Sequence, residues 1–300
     1  ETVLQAVNAV RALHELPPVR ADRRLVGEVS KAALIMAATG VMTHFPAKNA
    51  TCSSADWRSA SADSNLYLGT FPTGLVPSSE QMVAAWVKDL NVQGLGHRRW
   101  LLDPYLGVVA FGRVDNPSKQ ASAGALHVHV PANPAPKPKP GTFVAWPTGR
   151  YPGALWDRAA EWSVSVVESS TDRFDSQFKY FESSSVEVRD EETQRPVDVS
   201  RLFRDTQGFG VPNLLSFRVS GVQPKRWYKA TVRNVAQKAG GTRELTWRVY
   251  IDDAPPKKTL TKNGLDWERK TASNANDGFT LAEAKRYCAG LQGRLPTLAE

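Results

Sequence analysis

Apolar residues recur at helical spacing early in the chain and at strand spacing in its second half. Val3, Val7, Val10, Leu13 and Leu16 stand three or four positions apart, the repeat of an amphipathic helix with one buried face, here over 2–16. Pro17-Pro18 ends it, because proline has no amide for a helix interior. Asp22 is expected to open a second helix, with Leu25, Val29, Ala32, Ala33 and Met36 inward and Gly40 as its stop. Segment 46–64 is polar and rich in Ser and Ala, and reads as a loop anchored by Cys52 and Trp57. Ser78 or Ser79 starts a third helix carrying Met82, Ala85, Trp86 and Leu90. Residues 106–114 and 123–130 are apolar and β-branched enough to be strands. Helices followed by paired strands predict a layered α/β sandwich.

Residues 131–140 read PANPAPKPKP, half of them proline. Such a run favours extended polyproline II and spans ~31 Å at about 3.1 Å per residue. It predicts a semi-rigid linker at 131–142. Beyond it the period changes to two. Trp162, Val164 and Val166 alternate with Ser163 and Ser165, and Leu215, Phe217 and Val219 with polar neighbours. Tyr228, Ala230 and Val232, then Leu245, Trp247, Val249 and Ile251, repeat the pattern. Short alternating segments with turn signals at Gly221 and Gly240-Gly241 predict an all-β, Ig-like sandwich over 143–253. APPKK at 254–258 marks a second linker, 254–261, and Thr280 with Glu283 forms a T-x-x-E capping box for a helix in the last module, 262–300. That module is about 40 residues, near the lower limit for an unstapled core, so the chain is expected to stop inside it. The fold class expected is multidomain, with the first domain over 1–130.

Chemistry concentrates at Gly94-Leu95-Gly96-His97-Arg98-Arg99-Trp100-Leu101-Leu102-Asp103-Pro104. A glycine pair and a proline bracket a histidine, two arginines and a tryptophan, the composition of a constrained turn that presents a site. His44, Asp89 and His97 are the groups of the first domain that suggest joint chemistry. Two histidines and a carboxylate can hold Zn²⁺ or another divalent ion with a water, or exchange protons. As metal ligands the candidates are His44 and His97. His14 lies near a helix end, where it can serve the helix dipole. His127 and His129 share one strand face and read as paired exposed residues. No Walker A, Rossmann, G-x-S-x-G or H-E-x-x-H pattern occurs.

The formal charge is +8, from 38 Lys and Arg against 30 Asp and Glu. The basic residues are scattered, the pattern of a solvated basic surface, and no nucleic-acid partner is expected. The longest apolar run, 32–38, is too short to span a membrane. No leader is visible at Glu1, which fits a mature, trimmed or cytosolic chain. Cys52 and Cys288 have no C-x-x-C or zinc-type spacing.

Several of these residues carry a resemblance. Asn8 and Arg11 form an N-x-x-R, followed by Pro18, Asp22 and Leu25, then His44, Trp86 with Asp89, and Gly96-His97. In this order they resemble the CAP family of cysteine-rich secretory, antigen 5 and pathogenesis-related 1 proteins, in its bacterial branch. The resemblance implies an α-β-α sandwich over 1–130, an extracellular or cell-surface location, and a cleft formed by His44, Ser64, Asn65, Asp89 and His97. Ser64 stands where the family has a carboxylate, and Asp89 where it has glutamate. Trp267-Glu268-Arg269, the segment 280–288 and Arg294-Leu295-Pro296-Thr297 resemble the start of a C-type-lectin-like or formylglycine-enzyme-like module. That resemblance implies that Cys288 pairs beyond Glu300, leaving Cys52 free. The function expected is binding or adhesion at a bacterial surface, to glycan, lipid or protein or by self-association. The alternative is a metal-dependent hydrolase, peptidase- or esterase-like, using the two histidines.

Overall fold

The computed structural model describes residues 2–52, 54–71, 76–129 and 137–252, and the strands at 259–262 and 265–268. Helix α1 (Thr2–Leu13) is followed by a short strand β1 (Arg20–Ala21), helices α2 (Val26–Thr39) and α3 (Ala55–Ala62) and strand β2 (Ser64–Thr70). Helices α4 (Ser79–Lys88) and α5 (Gly96–Leu101) precede strands β3 (Val108–Asn116) and β4 (Ala121–His127). The four strands form one sheet in the order β1-β3-β4-β2.

Alternation along the central strands splits the core. Ala110, Ala123, Ala125 and Leu66 pack against Val29, Ala32, Ala33 and Met36 of α2 and Ala60 of α3. Val109, Leu126 and Val128 on the other face join Val3, Val7 and Val10 of α1, Met82, Val83 and Trp86 of α4 and Leu101 of α5. The result is α-β-α layering. Alanines facing α2 keep that layer thin. At Gly112 a Cβ would collide with the α2 backbone around Val29 and Ser30.

Local chemistry sets the helix ends, and several differ from expectation. Helix α1 stops at Leu13, short of 16. Glu15 takes a left-handed φ of 56°, and Leu16 N–H donates to Arg11 O while Glu15 N–H donates to Ala12 O, a Schellman closure. Asp22 does not open α2, since its carboxylate accepts from Arg24 and the helix begins at Val26. Gly40 does end α2, at φ 74°. The 46–64 segment is not all loop: α3 and the start of β2 lie in it. The α4 start carries a Ser78–Gln81 capping box. Val83 and Val87 take the buried positions on α4, while Ala85 and Leu90 are exposed.

The second region contains β5 (Thr142–Trp146), β6 (Gly149–Pro152), β7 (Trp162–Val167), β8 (Ser185–Asp190) and β9 (Pro196–Val197). It continues with β10 (Val199–Asp205), β11 (Leu214–Val219), β12 (Trp227–Ala236) and β13 (Thr242–Asp252). Two sheets result, β10-β11-β7-β5 and β6-β13-β12-β8-β9. They meet through Phe143, Phe217 and Trp247, whose ring centres lie 6.0–6.4 Å apart. The alternation expected of this region holds at the inner face. Its outer face is not all wet: every residue of β7 is buried, Ser163 and Ser165 included. The first region covers it, and a single hydrophobic cluster runs from Val3 and Trp86 through Trp146 and Tyr151 to Trp247.

Residues 130–136, with the first half of the expected first linker, lie outside the described residues, as do 253–258, 263–264 and 269–300 with Cys288. Of the last module only a two-stranded ladder, β14 (Thr259–Lys262) with β15 (Leu265–Glu268), is described. Among the described residues Cys52 is exposed and unpaired, and no helix is long and apolar enough to cross a membrane.

Candidate functional site

Strand β2 lies at the sheet edge and organises the site. Among the described residues no strand pairs with its outer backbone, and Leu66 O accepts the Trp86 indole N–H at 2.8 Å. That bond ties α4 to β2 one turn before the helix ends. Asp89 follows as the C-cap, at φ 50° and ψ 45°, a conformation that aspartate tolerates better than most residues. The reversal aims its carboxylate at α5. Oδ1 accepts the His97 Nδ1 proton at 2.7 Å, and Oδ2 accepts from the Arg98 N–H at 3.1 Å. The neighbouring β2 residue, Asn65, donates from Nδ2 to His97 O at 2.9 Å. Two consecutive β2 residues therefore hold both halves of a carboxylate–imidazole pair.

With Nδ1 donating to Asp89, the imidazole tautomer is set and Nε2 carries the lone pair. The Asp89 side chain is 1 % exposed and that of His97 18 %, so the histidine alone reaches solvent. The pair can orient a polar ligand or take a proton at Nε2.

His44 lies on the coil after α2, exposed, with Nδ1 2.9 Å from Ser61 O. Ser64 is buried and donates to Ala60 O at 2.7 Å, closing the last turn of α3. Asn65, Asp89 and His97 are brought into contact. His44 and Ser64 attach to α3, and no hydrogen bond or ion pair joins His44 to His97. Among the described residues no three His, Cys, Asp or Glu side chains are placed to hold a metal ion. A zinc site needs about three protein ligands and a water, and His44 and His97 alone fall short of that set.

The rest of the GHRRWLLDP stretch is not an exposed turn. It contains α5 and docks on the second region. Arg98 is fully buried, with its guanidinium carbon 3.6 Å from the Trp146 ring centre. It donates to Val87 O, Lys88 O, Glu161 O and the Ser163 hydroxyl. Arg99 pairs with Asp205 at 2.6 Å and donates to Gln207 O and Val211 O. Asp103, fully buried, faces Arg173 at 2.8 Å. Tyr105 donates to Ser169 O. Burial pulls the Arg98 and Arg11 guanidinium groups down to about 10, so both stay charged at neutral pH. These side chains correct the reading of the basic residues as uniformly solvated.

The N-x-x-R residues are sutures. Asn8 exchanges hydrogen bonds with the Val19 backbone. Arg11 gathers the carbonyls of Pro17, Leu101, Asp103 and Leu106. His14 serves no helix dipole. It is half-buried at the junction, with Nδ1 on Ala145 O at 2.9 Å and Nε2 3.3 Å from the Tyr151 hydroxyl. His127 and His129 are not an exposed pair: His127 is half-buried, while His129 is exposed beside Asp63 and Trp100. Sequence reasoning missed the junction residues because their partners across it lie 63 to 137 positions away. The one local signal was two adjacent arginines in an otherwise apolar run.

No curated protein matches the chain, and the comparison lends no support to the lectin-like resemblance at 262–300. Residues 4–130 match the model of the cysteine-rich secretory protein family, CAP. The match contains α2 to β4, the Asp89–His97 pair and the Asn8 and Arg11 sutures. The first region of this chain is a CAP domain.

Proposed function

We propose that the chain is a secreted or cell-surface bacterial protein that works by binding, in adhesion or as a component of a surface assembly. In this reading the CAP cleft is a scaffold without catalytic turnover. The β-region displays the domain rigidly, and residues 262–300 begin a further, lectin-like module. The observation that carries the reading is the engagement of the Asp89 carboxylate. Both oxygens accept hydrogen bonds, from His97 and Arg98, and Ser64 adds no charge beside them. Neither oxygen is left free of a donor to ligate a cation or act as a base. The partner is a glycan, lipid or protein at a cell surface, or a second copy of the chain.

One observation favours the alternative, a metal-dependent hydrolase. His97 Nε2 has no partner among the described residues, and a carboxylate behind an imidazole is the arrangement that raises ligand basicity. Zn²⁺ or another divalent ion held by His44 and His97 belongs to this second reading. Turnover of peptide and ester substrates, with and without added Zn²⁺, separates the two. The binding reading predicts no turnover above the His44→Ala and His97→Ala variants. Metal-dependent hydrolysis lost in both variants would establish the hydrolase.

A further inference from the structure

A cleft of about 350 Å³ opens where the CAP domain meets the β-region, between residues 89–95 and strand β10. Its volume lies in the range of ligand pockets. It exists only because the two regions are docked, and it requires neither His44 nor a metal. Two arginines, Arg201 and Arg218, line it. Arg218 donates from Nη2 to Ala159 O at 2.8 Å, while its Nε is buried without an acceptor. Arg201 is exposed and makes no ion pair among the described residues. It sits at a left-handed φ of 52°, where the β10–β11 register breaks between Ser200 and Phe203.

The acidic groups at the cleft are already engaged. Glu161 accepts from the Ser216 hydroxyl at 2.7 Å, and Asp89 from His97 and Arg98. An entering ligand therefore meets the exposed Arg201 and, beside it, the half-buried Arg218. Leu90 and Leu202 flank them with apolar surface that is 38 % and 39 % exposed. The remaining lining mixes polar Asn91 and Gln93 with apolar Val92, Ala160 and Phe203, the last on β10, an edge strand. A fatty chain would need uninterrupted apolar walls. A ligand with a carboxylate, an aliphatic side chain and amide groups matches each surface in turn.

We propose that this junction cleft binds the C-terminal end of a peptide whose last residue is aliphatic. Arg201 and Arg218 would take the carboxylate, and Leu90 and Leu202 the side chain. The proposal goes beyond the binding reading above and does not depend on it.

Calorimetric titration with N-acetyl-glycyl-leucine, its C-terminal amide and octanoate tests it on the full chain. Charge-assisted hydrogen bonds to an ionised partner predict at least about tenfold tighter binding of the acid than of the amide. Arg201→Asn keeps a residue that tolerates left-handed backbone and should weaken the acid selectively. Arg218→Gln should do the same, provided near-UV circular dichroism matches the wild type. Amide resonances of 89–95 and 201–203 should move on titration. Absence of binding at millimolar peptide, equal binding of acid and amide, equal binding of octanoate, or shifts confined elsewhere would each overturn the assignment.

Discussion

The Arg98 guanidinium lies over Trp146, 3.6 Å from the ring centre, although Arg98 belongs to the CAP domain and Trp146 to the β-region. The same residue's backbone N–H holds Asp89 Oδ2. One arginine therefore ties the His97–Asp89 pair to the β-region. Trp146→Ala would leave a large cavity beneath a buried cation. The expected loss is about 3–5 kcal/mol, read from denaturant unfolding.

The shared cluster predicts that the two regions behave as one body. A protease site introduced within 131–136 and cleaved should leave the two fragments co-eluting on gel filtration, held by Arg99–Asp205 and Asp103–Arg173 and the apolar core. Separation of the fragments without denaturant would show that the packing is too weak to couple them.

His14 makes the junction acid-sensitive. Burial first, helped by the nearby Arg98 and Arg11 charges, draws its pKa from 6.5 to about 3 against the opposing Ala145 hydrogen bond. Between those values the unfolded chain holds a proton that the folded chain lacks, so stability rises with pH. The contribution is complete above about 6.5 and is lost as pH falls toward 3, at no more than about 1.4 kcal/mol per pH unit. His14→Gln should flatten unfolding free energy against pH in that window. An unchanged slope would contradict a neutral His14 at the junction.

Gly210 closes the other side of the junction. Its φ is +63°, and an added Cβ would overlap the Arg99 carbonyl oxygen. Gly221, at φ +82°, has open space around it. Left-handed backbone alone costs about 1–2 kcal/mol for a substituted residue. Thermal or urea unfolding should therefore show a larger loss for Gly210→Ala than for Gly221→Ala, the difference reporting the contact with Arg99.

The site pair was legible in sequence because its members are local. Asp89 and His97 are eight positions apart, one at a helix end and one after a glycine. The α2 face and the β12 and β13 alternation were legible for the same reason, since each pattern is longer than its element's repeat, whereas on α4 only Met82 and Trp86 of the expected face are buried. Helix α3 was not, because ADWRSASA has no sustained apolar stripe and folds by packing Ala60 under α2. The roles of Arg11, His14, Arg98, Arg99 and Asp103 were not either. A buried charge and a solvated one look alike in sequence when the partner lies in another region. Ser163 and Ser165 read as an outer, wet face for that reason, and are covered.

The central claim is that this CAP domain is a binding scaffold whose His97–Asp89 pair is not a metal hydrolase centre. Calorimetric titration of the wild type, His44→Ala and His97→Ala with Zn²⁺ at neutral pH tests it most directly. The account predicts weak binding without defined stoichiometry, little changed by either substitution. Tight binding of one Zn²⁺ per chain, abolished in both variants, would contradict it.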